Sequence, residues 1–368
     1  MKGTQVRKIL IVTGTRPNFV KVTQFKKRVV DFPSLEIEIV HTGQHYDDNM
    51  SAIFFRQFNL IPDHFLNIQA GSPASQIAEI IQGLESLVKK IDPNLIMVVG
   101  DVNSTLAASL VANKMNVPLA HLESGLRSLD RTMPEEINRI ITDELTQFFF
   151  ITEESGLQNL LQEGKRAEQL HLVGNTMIDT LVAFQDEIDQ CKLLEELKMP
   201  EGDFVLMTIH RPATVDNPEK LEELLSLMEW LLLKQKIVFP IHPRTIENLK
   251  KYDLYNRFEM LQGLFLTEPL GYFDFQKLVS TCSLILTDSG GIQEESTFLQ
   301  KPCLTLRPNT ERPVTTETGS NTLIGEDWTL VPQMIDSILA GKYKKGVIPP
   351  MWDGHSTERI LTILDEQL

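Results

Sequence analysis

Short apolar runs of strand character alternate with helical patterns along this whole chain, and the alternation runs through twice. In the first round, strands are expected at 7–13, 36–42, 94–99, 118–122 and 148–152, with helices at 18–30, 74–90, 104–114 and 134–146. In the second round, strands are expected at 203–209, 236–241 and 284–287, with helices at 218–234, 273–280 and 292–299. A strand that is apolar on both faces must be covered on both, and a helix after each strand supplies the cover. The pattern therefore predicts an α/β chain built on parallel, doubly wound sheets. A charged helical pattern at about 176–197, ended by Met199-Pro200-Glu201-Gly202, reads as the joint between two halves. The pattern at 355–368 reads as a terminal helix with no strand after it. At 368 residues the chain is long enough for two domains, each with a substantial core.

Composition removes several classes of function. A net charge of -15, from 35 basic and 50 acidic residues, argues against a broad nucleic-acid surface. The run Ile9 to Val12 is far too short for a signal segment or a membrane span, and Glu229, Lys234 and Lys236 interrupt the apolar stretch at 224–241. Neither a membrane nor a nucleic-acid partner is expected. The three cysteines, Cys191, Cys282 and Cys303, lack metal-type spacing, and so sparse a set fits a cytoplasmic protein with structural thiols. No HExxH, CxxC or paired-Asp pattern calls for a metal. Gly14-Thr15-Arg16-Pro17 stands where a GxGxxG would follow the first strand, which argues against a Rossmann NAD site, and no GxSxG elbow supports a hydrolase triad.

The polar residues gather at the ends of the expected strands. Gly14-Thr15-Arg16-Pro17, His41-Thr42-Gly43-Gln44-His45, Gly100-Asp101 and His121-Leu122-Glu123-Ser124-Gly125 end strands of the first round. Thr208-Ile209-His210-Arg211-Pro212, His242-Pro243-Arg244 and Thr287-Asp288-Ser289-Gly290-Gly291 end strands of the second. Doubly wound sheets bind ligands at the carboxyl ends of their strands, so two half-sites are expected, converging in a cleft between domains. Around Gly290 the chain reads strand, Ser-Gly-Gly turn, helix. Such a turn brings backbone N–H groups and the positive end of a helix dipole close to a phosphate, although it is also an ordinary connection. Glu294 and Glu295 are either helix-start carboxylates or include a ligand for a ribose hydroxyl. Arg16, Arg211, Arg244, Arg307 and Arg312 offer guanidinium forks suited to a diphosphate, or are surface ion-pair partners. Lys21, about one turn after Arg16, either reaches the same pocket or is solvated. Asp101, Glu123, Glu135 and Glu136 are the acid–base candidates. Helix capping competes with that reading: Asp101 precedes the helix expected at Ser104, and Thr132 to Glu135 fits the S/T-x-x-E capping box. His45, His121, His210 and His242 are either groups that titrate near neutrality or structural hydrogen-bonding groups.

Taken together and in order, these blocks resemble the non-hydrolysing UDP-N-acetylglucosamine 2-epimerase family. The blocks that carry the resemblance are Gly14 to Pro17, His41 to His45, Gly100-Asp101, Glu123 to Arg127, Pro134 to Arg139, His210-Arg211, Asp288 to Glu295, and Thr310-Glu311-Arg312-Pro313. The resemblance implies the GT-B fold, with two Rossmann-like domains whose parallel sheets face each other across a cleft. It implies a catalytic domain over 1–175, joined by a terminal helix at 353–368, and a UDP-binding domain over 176–352. It also implies a cytoplasmic homodimer that interconverts UDP-GlcNAc and UDP-ManNAc without a redox cofactor, eliminating UDP to a 2-acetamidoglucal and adding it back. By matching motif, Asp101, Glu123 and Glu135 are the catalytic carboxylates and His210 is a histidine of the catalytic site. Arg16, Ser289, Gly290 and Gly291 match diphosphate contacts, Glu295 the ribose ligand, and Lys21, Arg139 and Arg312 positions facing diphosphate or sugar. His242 and Arg307 join the UDP-binding set from their positions near strand ends. Asn18-Phe19, Ser124, the short loop between Arg127 and Pro134, Tyr46-Asp47 and Ala70-Gly71 depart from the common pattern. The last two departures imply weak or absent activation by a second UDP-GlcNAc. A related branch acting on a UDP-diacetamido-uronic acid is the alternative substrate reading. A GT-B glycosyltransferase, a hydrolysing epimerase and a non-catalytic nucleotide-sugar sensor are the other rivals.

Overall fold

The computed structural model describes residues 6–43, 54–69 and 71–368. They form two compact units, Met1–Ala183 with Pro350–Leu368, and Phe184–Pro349.

The first unit is built on a parallel sheet of seven strands: β1 (Arg7–Thr13), β2 (Leu35–His41), β3 (His64–Phe65), β4 (Leu95–Val99), β5 (Leu119–Leu122), β6 (Phe148–Ile151) and β7 (Leu170–Leu172). Their order is β3-β2-β1-β4-β5-β6-β7. Every residue of β4, Leu-Ile-Met-Val-Val, is buried, as a central parallel strand covered on both faces requires. The cover includes the helix Pro73–Ile91, which buries Ile80, Leu84, Val88 and Ile91 along one stripe. Ser72 Oγ accepts the Ser75 N–H at its start, and Asp92 ends it in the left-handed region. The helix Ser356–Gln367 closes this unit. Asp179 accepts from the N–H groups of Ser356 and Thr357 at its start, and Arg7 Nη2 reaches Asp365 Oδ1 (2.8 Å) near its end.

The second unit repeats the plan with β8 (Phe204–Thr208), β9 (Lys236–Pro240), β10 (Leu264–Thr267), β11 (Leu284–Thr287), β12 (Cys303–Thr305) and β13 (Asn321–Leu323). All pairs are parallel, in the order β10-β9-β8-β11-β12-β13. Both sheets thus reverse their direction of growth at one place, between β1 and β4 and between β8 and β11. That switch point opens a crevice at the carboxyl ends of the two central strands, where doubly wound folds bind ligands.

Two expectations are corrected, and five short strands are added. The helix expected at 18–30 is the pieces Arg16–Val20 and Phe25–Arg28 and a 3-10 turn at Val29–Asp31, because Thr23 turns to tertiary partners and bonds Thr180 Oγ1 (2.6 Å). The helix expected at 176–197 is likewise three pieces, Thr176–Ala183, Gln185–Asp189 and Leu193–Glu196. Phe184 breaks it with a non-helical backbone while its ring packs on Phe273. Finally, β3, β7, β10, β12 and β13 carry no strong pattern of their own. They are two to four residues long and are strands only because a neighbour pairs with them.

Among the described residues, no helix is long and apolar enough to cross a membrane. The cysteines are free; burial pushes the Cys282 and Cys303 thiols up to about 12 and about 11, which disfavours the thiolate form.

Candidate active site

In the first unit the turns after β1, β4 and β5 converge. Thr15 Oγ1 donates to Asn18 Oδ1 (2.9 Å), and Asn18 Nδ2 donates to Val99 O at the end of β4 (3.1 Å), tying two turns together. Gly100 then turns with φ 62°. A Cβ at this glycine would lie 3.3 Å from Asn18 Nδ2 and 3.4 Å from Glu123 Oε2, a tight fit that adds to the strain of a left-handed backbone for any other residue. Glu123 has φ 70°, a left-handed conformation that costs a non-glycine residue roughly 1–3 kcal/mol. The surrounding structure holds it there: Glu123 N–H donates to Phe150 O (3.0 Å), and Lys21 Nζ donates to its buried carboxylate. Lys21 is itself buried, so its solvated reading falls.

Asp101 faces another buried cation of this half. Arg139 donates to its carboxylate, and Asn138 Nδ2 donates to its carbonyl (2.9 Å). Asp101 is not a helix cap, since Val102 holds the N-cap position of the helix Asn103–Met115. The capping-box reading of Glu135 falls as well. Met133 is the N-cap of the helix Pro134–Leu145, and Thr132 Oγ1 donates to Asp130 instead (2.6 Å). The two adjacent glutamates also separate. Glu136 is buried and accepts from Ser128 N–H (2.8 Å) and Leu129 N–H (3.1 Å), which holds the preceding loop. The half-buried Glu135 side chain makes no hydrogen bond or ion pair with any described residue. Arg16 is half-buried at the start of its short helix, beside the wall formed by Phe19, His41 and Phe55. His121 is fully buried between Asp143 and Gly100 O and is structural. His45, Tyr46, Asp47 and Ala70 lie outside the described residues.

In the second unit, Asp288 organises the turn after β8. Its fully buried carboxylate accepts from His210 N–H (3.0 Å) and Arg211 N–H (2.8 Å) and stands 3.2 Å from His210 Nδ1. Burial pulls the His210 pKa down; Asp288 opposes that shift, while Arg211 and Arg307 add to it. His242 caps the helix Pro243–Lys251 by accepting from Arg244 N–H (3.2 Å), and its ring lies 5.8 Å from that of His210. Arg244 is an exposed ion-pair partner of Asp216 (Nε to Oδ1 2.9 Å), as the surface reading expects.

The helix Gly291–Phe298 starts at Gly290 with no side-chain cap, and although Gln293 N–H donates to Gly290 O (3.2 Å), no cap side chain competes with a ligand or solvent for the N–H groups before it. Arg307 and Arg312 are buried beside it. Glu311 reaches both, and Glu294 Oε2 lies 2.9 Å from Arg312 Nε. Arg307 Nη1 is buried with no hydrogen-bond partner among the described residues, which leaves one donor of a planar fork unused there. One turn into the helix, burial pushes the Glu295 carboxyl up to about 7; a hydrogen bond from Gln276 opposes the shift and Glu294 adds to it. The arrangement offers a helix start and arginine forks for a diphosphate, and a buried carboxyl for a neutral hydroxyl donor. Asn18, Gln276 and Asp288 brace these half-sites, and none was among the candidate site residues read from the sequence. Asp288 alone carried a signal, as the acid of the Asp-Ser-Gly-Gly turn.

The diphosphate placement has a direct test. A Cβ at Gly290 would meet Arg312 Nη1 and Glu311 Oε1, each at 3.0 Å. Gly290→Val should therefore displace the Arg312 fork and crowd the helix start, weakening UDP binding tenfold or more, about 1.4 kcal/mol. Calorimetric titration with UDP measures this, and an unchanged affinity in a folded variant would move the diphosphate elsewhere.

The UDP-N-acetylglucosamine 2-epimerase family model matches residues 27–365. The chain belongs to that family. The UDP-N-acetylglucosamine 2-epimerase of Methanocaldococcus jannaschii is 38% identical over 363 residues, covering 97% of this chain and 98% of the relative. A UDP-2,3-diacetamido-2,3-dideoxy-D-glucuronate 2-epimerase of Pseudomonas aeruginosa is 36% identical over 323 residues, covering 86% of this chain and 88% of the relative. The crystal structure of the M. jannaschii epimerase in complex with UDP-GlcNAc and UDP superposes with a TM-score of 0.89 at 37% identity, over 98% of this chain and 99% of that one. The fold class expected for a 2-epimerase is borne out: two Rossmann-like α/β units with parallel sheets, of the GT-B class.

Proposed function

We propose that this chain catalyses the reversible C2 epimerisation of UDP-N-acetylglucosamine to UDP-N-acetylmannosamine. The observation that carries this reading is the pairing of two strand-end carboxylates, Asp101 and Glu123, each with a buried cation, in a chain of the 2-epimerase family. The first unit supplies proton transfer and the second supplies UDP binding. The C2 proton of the sugar is not acidified by a neighbouring carbonyl, so direct deprotonation is too costly. In the proposed path a carboxylate takes the C2 proton while the C1–O bond breaks, and the bond pair leaves with UDP. The products are 2-acetamidoglucal and UDP, the latter held by Ser289, Gly290, Gly291, Arg307 and Arg312. A proton then adds to the opposite face of C2 as a UDP oxygen re-forms the bond to C1. Asp101, Glu123 and Glu135 divide the acid and base roles, while Lys21, Arg139, His210 and His242 are the polar groups that face the sugar or the diphosphate charge. Glu295 receives the ribose hydroxyls. The path is redox-neutral and needs no nicotinamide. A homodimer and a cytoplasmic location belong to the same proposal, on the family resemblance. The P. aeruginosa relative favours one second reading, a UDP-diacetamido-uronate as the sugar.

The proton path is tested in D2O. A carboxylate that has taken the C2 proton exchanges it with solvent before re-addition, so UDP-ManNAc formed there should carry deuterium at C2, with traces of 2-acetamidoglucal and UDP. NMR of the nucleotide sugars reads both. Product with only hydrogen at C2 would overturn the exchangeable-proton path and point to shielded proton return or to hydride chemistry. Turnover of the diacetamido-uronate alone would move the substrate assignment to the second reading.

A further inference from the structure

Behind Glu123 lies a charged cluster that the proposed chemistry leaves unused. Asp143 is fully buried at its centre. One carboxylate oxygen stands 2.7 Å from His121 Nδ1; the other stands 2.7 Å from Arg127 Nη2 and accepts from Gly125 N–H (3.2 Å). His121 Nε2 lies 2.8 Å from Gly100 O. Arg127 is fixed in turn by Glu163 (2.8 and 2.7 Å) and by Leu126 O (2.8 Å). Burial opposes the charge of Asp143, but His121 and Arg127 hold its carboxyl below the usual range.

These contacts end on the backbone of two turns. Gly100 precedes Asp101, and Gly125 follows Glu123 by two residues. Gly100, Glu123 and Gly125 all have left-handed backbones, with φ of 62°, 70° and 80°. A non-glycine residue stays in such a conformation only when its surroundings over-determine it. Asp143 also lies on the helix Pro134–Leu145, four residues after Arg139 and eight after Glu135, so the three share one helix face. One buried carboxylate therefore connects the Asp101 turn, the Glu123 turn and the helix that bears Glu135.

We propose that Asp143, acting directly and through His121, is a positioning residue that sets the mutual spacing of Asp101, Glu123 and Glu135. The roles of those three rest on the epimerase reading above. Asp143→Asn keeps the volume and removes the charge that orients His121 and Arg127, so the two turns relax while the sheet stays intact. A shift of a fraction of an ångström at reacting groups is expected to lower kcat about five- to tenfold, since a misplacement of about 1 Å can cost 10²-fold. UDP affinity, which depends on the second unit, should hold within about twofold.

The test uses the full chain with two readouts, steady-state kinetics and amide hydrogen exchange. The expected result is faster exchange at both 100–103 and 123–127, unchanged protection in β1 and β4, and the kcat loss without a UDP loss. Glu163→Gln, which touches only the far side of Arg127, should leave both readouts near wild type. If Asp143→Asn does not fold, His121→Gln, which keeps a donor able to face Gly100 O, is read in the same way and should loosen the Glu123 turn more than the Asp101 turn. Exchange unchanged at both turns, or raised evenly through the first unit, overturns the proposal. A wild-type protein inactive on UDP-sugars would sink the epimerase reading alone, because the exchange data still decide whether Asp143 holds the turns.

Discussion

Asp101→Asn is expected to lower kcat by roughly 10²-fold or more, the range for losing a general acid or base, while UDP affinity stays near wild type. The substitution keeps the side-chain shape at the end of β4 and removes only the ability to carry a proton. Its carbonyl still accepts from Asn138, so the turn keeps its anchor. Arg139 stays buried, with Glu136 Oε2 at 3.7 Å as its remaining carboxylate. UDP contacts are assigned to Ser289, Gly290 and the buried arginines of the second unit, which Asp101 does not join. Turnover followed by NMR and UDP titration followed by calorimetry separate the two effects. A parallel tenfold or greater loss of UDP affinity would show Asp101 to be a binding group; unchanged turnover would remove it from the chemistry.

Glu295→Gln is expected to stabilise the protein at pH 8 and to do so less as the pH falls. Burial raises the Glu295 carboxyl from 4.5 to about 7. Because the folded-state pKa is raised, the stability tied to this group is fully present below about 4.5, where the carboxyl is neutral in both states. It is lost progressively up to about 7, because the unfolded chain ionises first. Above that, the folded protein carries a buried charge, a penalty on the order of 3 kcal/mol for a shift of this size. Gln imitates the neutral form at every pH, so its advantage should approach that figure at pH 8 and shrink toward zero as pH falls through about 4.5. Denaturant unfolding at several pH values measures it, and a pH-independent difference would refute the assignment. The same variant should bind UDP more weakly if Glu295 receives the ribose, the usual cost of a destabilised functional site.

How far the chain could be read before folding is clearest in particular elements. The centres of both sheets were legible because β1, β4, β8 and β11 are nearly continuous apolar runs, and a strand buried on both faces can be little else. The helix Pro73–Ile91 was legible from its stripe and from Pro73 at its start. The turn Asp288-Ser289-Gly290-Gly291 was legible because a strand, a glycine pair and a helix follow one another locally. The short strands β3, β7 and β13 were not, since two or three residues gain strand geometry only from a partner distant in sequence. Lys21 could not be told from a solvated lysine, nor Glu135 from its neighbour Glu136, by residue type. Tertiary structure decided both, by burying Lys21 against Glu123, 102 residues away, and by turning Glu136 onto the Ser128–Leu129 backbone while Glu135 was left without a partner among the described residues. Periodicity and turn chemistry act over a few residues and are written in the chain. The partner that compensates a buried charge comes from wherever the fold brings one, and that is settled only when the strands find their order.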